Sequence, residues 1–97
     1  MDYKLFWSKE SLSNLDSILS YPESEWTEKE LVAFKKKLSH QLDLIEKNPK
    51  LFPVSNINPR LRKAVLSKLT TIYYELKDFE IHIAYLFNSR MDIKKIK

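Results

Sequence analysis

Hydrophobic positions along this chain switch period twice. They first alternate singly, with Tyr3, Leu5 and Trp7 on one side and Lys4 and Phe6 on the other, which predicts a short strand. They then follow helical spacing, with Leu12, Leu15, Ile18 and Leu19 on one stripe. Ser8 stands where its hydroxyl can accept from a first-turn N–H, and Glu10 suits the positive end of that helix. Pro22 stops it just after Tyr21. A second helix starts at the capping box Thr27-Glu28-Lys29-Glu30. Leu31, Phe34, Leu38, Leu42 and Ile45 keep one of its faces apolar for about five turns. Lys35, Lys36 and Lys37 lie largely off that stripe and read as a solvated face. Asn48-Pro49 ends the helix at about 20 residues, roughly 30 Å.

From Lys50 to Pro59 the chain reads as loop, broken by prolines and asparagines. The period then returns to two over Leu61 to Ser67, Thr70 to Lys77 and Glu80 to Asn88, and the short connections predict an antiparallel meander. In the last run Ile81, Ile83, Tyr85 and Phe87 alternate with His82, Ala84, Leu86 and Asn88. A strand apolar on both sides belongs in the middle of its sheet. The expected fold is thus α+β in two layers: an N-terminal strand, an antiparallel helical hairpin, then a three-strand antiparallel meander that the first strand joins at its edge. Residues 1–97 read as a single domain, ending in a basic tail from Arg90 to Lys97.

Composition narrows the chemistry. At 43% hydrophobic and 31% charged residues the chain is expected to be globular. It has no cysteine, which excludes disulfides and thiolate metal sites, and no glycine, which excludes glycine-rich phosphate loops. No run approaches the ~20 apolar residues of a membrane span, and MDYKLFWSKE lacks the apolar segment of a signal peptide. A cytoplasmic protein without a membrane partner is the expectation. Charge is uneven: residues 1–57 carry eight Lys/Arg and nine Asp/Glu, whereas residues 58–97 carry nine and four. The C-terminal half therefore offers cations to phosphate or to an acidic partner, unless they serve solubility alone.

Four segments in this order, YKLFWSKESLSNLDSI, NPKLFP, LRKAVLSKLTTIYYEL and IAYLFNSRMDIKKI, resemble the RelE/ParE toxins of type II toxin–antitoxin modules along nearly the whole chain. The resemblance implies the same helical hairpin and sheet. It also implies a cognate antitoxin whose extended C-terminal segment covers the toxin's working surface. RelE-like members enter the ribosomal A site and cleave mRNA. ParE-like members bind DNA gyrase and need no catalytic residues. Neither activity implies a cofactor or a metal.

Metal-free RNA cleavage requires a base for the 2′-hydroxyl, cations for the phosphorane and an acid for the leaving oxygen. Arg62 and Arg90 resemble the two basic positions of RelE-like nucleases. Lys63, Lys68 and His82 complete the candidate catalytic set, and Arg60, Arg62, Lys63, Arg90, Lys94 and Lys95 the candidate target-binding set. The tyrosine or histidine that such nucleases carry after the second arginine is missing from MDIKKIK. His82 sits mid-strand, and His40 has no visible cluster. Tyr73 and Tyr74 must point to opposite faces, so only one of them joins any site. Both arginines have a second reading, as salt-bridge anchors for the antitoxin or as surface partners of Glu75 and Asp92. The expectation is a ParE-like growth inhibitor. Its alternatives are a ribosome-dependent mRNA endoribonuclease and a non-toxic basic module that binds nucleic acid or a partner.

Overall fold

The computed structural model describes residues 3–20 and 27–88. Its elements are β1 (Lys4–Trp7), α1 (Lys9–Ser20), α2 (Glu28–Lys47), β2 (Arg62–Val65), β3 (Thr70–Lys77) and β4 (Glu80–Asn88). The strands form one sheet in the order β1-β4-β3-β2. The meander is antiparallel as expected, and β1 adds to it in parallel along β4, pairing Leu5 with Ile81 and Trp7 with Ile83. That gives β4 a strand on each side as far as Ile83, the interior place expected from apolar residues on both of its sides.

Both helix starts follow from side-chain caps. Ser8 Oγ accepts the Ser11 N–H at 3.0 Å. At α2 the capping box closes both ways: Thr27 Oγ1 accepts the Glu30 N–H at 3.0 Å, and Glu30 Oε1 accepts the Thr27 N–H at 3.1 Å. The stop at Pro22 lies outside the described residues. The β3–β4 hairpin turns at Asp78, whose φ of 54° is left-handed. In a chain without glycine, aspartate is one of the few residues that reaches this region at modest cost.

One core joins the layers. Ile18 of α1 and Phe34, Leu38 and Ile45 of α2 pack with Ala64, Ile72, Tyr74, Ile81, Ile83 and Leu86 of the sheet. The tyrosine pair divides as expected, with Tyr74 fully buried and its hydroxyl donating to the Pro49 carbonyl at 2.6 Å. Burial raises the Tyr74 pKa from its ordinary 10.0 to about 12, against a small opposing pull from Arg62. The raised pKa gives the pH dependence its sign. An unfolded chain ionises this tyrosine near pH 10 and the folded chain does so only near pH 12, so its contribution is complete below that window and is lost within it. Tyr74→Phe is expected to cost about 1 kcal/mol near neutrality. The wild type's advantage over this variant should shrink between pH ~10 and ~12, as read by urea unfolding; a constant difference would contradict the burial.

Three expectations are corrected. The second strand is shorter than Leu61 to Ser67, because the Leu66 and Ser67 N–H groups both turn onto the Thr70 carbonyl, at 2.9 and 3.1 Å, and close the β2–β3 connection. Leu12 does not lie in the buried stripe of α1. It is 52% exposed, and Ser11 and Asn14 are buried in its place beside the expected Ile18. The alternation of β4 breaks as well. The pairing runs from Tyr74–Ile83 to Tyr73–Tyr85, so Ala84 is an extra residue, a β-bulge. Beyond it Leu86 and Asn88 face the core, and Tyr85 and Phe87 move to the other side.

Candidate functional site

One side of the sheet carries the helices, and the other is open among the described residues. Strand register places Lys4, Glu80 and Lys77 in its first row, and Phe6, His82 and Glu75 in its second. Tyr85, Tyr73 and Lys63 follow, then Phe87, Thr71 and Val65. Two aromatic pairs stack on this surface: Phe6 on His82 with ring centroids 5.2 Å apart, and Tyr73 on Tyr85 at 4.8 Å. His82 Nε2 lies 2.9 Å from Glu80 Oε1. Burial, with a smaller contribution from Tyr73, pushes the Tyr85 hydroxyl above its ordinary pKa. It therefore keeps its proton at neutral pH and can donate but not serve as a base.

Among the described residues the predicted cations do not converge. Arg62 pairs with Tyr74 and shares its helix-side face, whereas Lys63 pairs with Tyr73 on the open face. Arg62 is spent on backbone: Nη1 donates to the Phe52 carbonyl at 2.6 Å and, longer, to the Lys50 carbonyl at 3.4 Å. It clasps the loop between α2 and β2 and makes no ion pair with Glu75. With Arg60, Val54, Pro59, Glu75 and Leu76 it lines a depression of about 340 Å³ at the end of the sheet. Arg60 itself is exposed, its N–H donating to Asn58 Oδ1 at 3.0 Å. Lys68 is exposed in the β2–β3 turn, and Lys35 to Lys37 are exposed on α2. Arg90, Lys94 and Lys95 lie outside the described residues. Among those described, no three His, Asp or Glu side chains come together as a metal site.

The open face gathers residues that the sequence pattern had assigned elsewhere. Tyr85 and Phe87 were expected beside Ile81 and Ile83, and only the bulge at Ala84 parts them. No local signal marks it: the residue is an alanine, and there is no glycine to flag a break in the ladder.

No protein-family model matches the chain, and no curated protein does. Solved structures do. A chain of the chromosomal ParDE TA system from P. aeruginosa superposes with a TM-score of 0.73 at 16% identity, over 89% of this chain and 95% of that one. The E. coli DinJ-YafQ toxin-antitoxin complex gives 0.66 at 11% identity, over 93% and 96%. A mutant toxin from Helicobacter pylori gives 0.56 at 16%, over 91% and 96%. The chain thus has the α+β fold of the RelE/ParE-like toxins, from the first strand to the last. No helix among the described residues is long and apolar enough to cross a membrane.

Proposed function

We propose that this chain is the toxin of a type II toxin–antitoxin module, neutralised by a cognate antitoxin, and that it arrests growth by binding a macromolecular target such as DNA gyrase through the open sheet face. The likeness of fold over nearly the full length of both chains supports the toxin reading. The make-up of the open face carries the choice of binding over cleavage. Its four aromatic side chains beside His82, set among Lys4, Lys63 and Lys77 and the carboxylates Glu75 and Glu80, resemble a protein–protein interface, where tyrosines anchor and charges of both signs set register. A cleavage site needs a base beside clustered cations. Arg62 is turned to the other face and bound to carbonyls, Tyr85 holds its proton, and His82 is engaged with Glu80.

The endoribonuclease reading is favoured by one observation, the place of Lys63 opposite Tyr73, whose ring stacks on Tyr85, a cation next to phenol hydroxyls. The two readings separate on induction without antitoxin. Gyrase binding predicts loss of negative supercoiling in a reporter plasmid with message intact, and cleaved message with normal supercoiling would transfer the proposal to the nuclease. Unimpaired growth on induction would sink both and leave a non-toxic binding module.

A further inference from the structure

We infer that the polar side of α1 is a positioning device: Ser8 and Asn14 hold the bulge at Ala84 and so turn Tyr85 onto the open face. The inference rests on reading that face as the working surface. It begins from an oddity of composition, since a helix lying on a sheet is expected to bury aliphatic side chains. Here Ser11 is 0% exposed and Asn14 9%, while the neighbouring Leu12 points largely into solvent. Buried polar groups are costly unless each finds a partner. Each of these does. Ser11 Oγ donates to the Ser8 carbonyl at 2.8 Å, and Asn14 Nδ2 donates to Glu10 Oε2 at 3.0 Å. The remaining bonds leave the helix. Ser8 Oγ donates to the Ala84 carbonyl at 2.8 Å, and Asn14 Oδ1 accepts the Leu86 N–H at 3.0 Å. The two contacts land on either side of Tyr85.

Register explains why those groups matter. β1 ends at Trp7, opposite Ile83, so the β4 edge beyond has no strand beside it. Ser8 N–H still reaches the Ile83 carbonyl at 3.2 Å, and from there α1 replaces the missing strand. In an unbulged β4, Tyr85 would follow Ile81 and Ile83 onto the helix side and present its own N–H to α1. With the bulge, the amide that faces α1 is that of Leu86, which Asn14 captures. Ser8 captures the carbonyl of the extra residue. Leu86 then fills the core at 1% exposed, and Tyr85 stacks on Tyr73 outside. Bulges commonly re-aim a side chain beside a functional surface, and this one is gripped by side chains from another element.

The test uses the full chain with isotope-labelled tyrosine rings, reading ring-to-ring NOEs between Tyr73 and Tyr85 and hydrogen exchange at the Leu86 amide. Ser8→Ala/Asn14→Leu removes both external bonds. It is expected to lose those NOEs, to speed Leu86 exchange by about tenfold or more, and to abolish growth arrest on induction. Asn14→Asp/Glu10→Gln keeps an acceptor for Leu86 and a donor at position 10, and it is expected to retain the NOEs and the protection. A folded Ser8→Ala/Asn14→Leu chain with the ring contacts intact would overturn the inference. Should that variant not fold, Asn14→Leu alone decides, since it leaves the Ser8 cap in place: weakened NOEs support the grip on the bulge, and unchanged NOEs with unchanged Leu86 exchange remove it. Failure of the toxin reading looks different. Wild-type chain would then leave growth unimpaired while the rings still moved in the variants as described.

Discussion

Tyr85→Ala is expected to abolish growth arrest while leaving the chain folded. Tyr85 is half-buried at the centre of the open face, with Tyr73 on one side and the Phe6–His82 pair in the next row. Removing its ring from the free protein forfeits one aromatic pair, about 1 kcal/mol. Truncating a tyrosine anchor at the middle of an interface costs about 2–4 kcal/mol, or roughly 30- to 1,000-fold in affinity. The asymmetry between those figures is the prediction. Viable counts on induction should recover by orders of magnitude, while the melting temperature falls by only several degrees. Full arrest by a folded Tyr85→Ala chain would move the working surface off this face.

Ile83→Ala is expected to have the largest effect on stability. Ile83 is fully buried on the central strand, between Trp7 of β1 and Tyr74 of β3. Truncating a side chain so enclosed leaves a cavity that rigid neighbours on both strands cannot fill, at about 3–4 kcal/mol. In a domain of this size the melting temperature should drop by roughly 12–25 °C. Val65→Ala is the control, since Val65 is 60% exposed on the edge strand and its loss should fall within about 0.5 kcal/mol. Comparable losses for the two variants would mean that the core is not centred on β4.

Arg62 shows how far a sequence motif carries and where it stops. The run Arg60, Arg62, Lys63 reads as one cationic cluster because its members are adjacent in the chain. Strand geometry then separates neighbours, and Lys63 faces out beside Tyr73 while Arg62 folds under to the carbonyls of Phe52 and Lys50. The same rule parted Tyr73 from Tyr74 correctly, and there the sequence sufficed because the strand is regular on that side. In β4 it did not suffice. Alternation carried through Ala84 predicts Tyr85 on the same side as Ile81 and Ile83, and the pattern offers nothing against this because Leu86 and Tyr85 are both apolar enough for either face.

By itself, the sequence determined the order and type of the elements, the caps at Ser8 and Thr27, the apolar stripe of α2, and the central place of β4. Those features depend on local hydrogen bonds and on the period of burial, which neighbouring residues encode directly. Tertiary structure alone decided that β1 runs parallel to β4, that α1 buries serine and asparagine rather than Leu12, and that Tyr85 joins Tyr73 on the open side. The last two turn on which backbone groups of β4 are left without a strand partner. That demand arises between segments more than 70 residues apart and leaves no periodic trace in either.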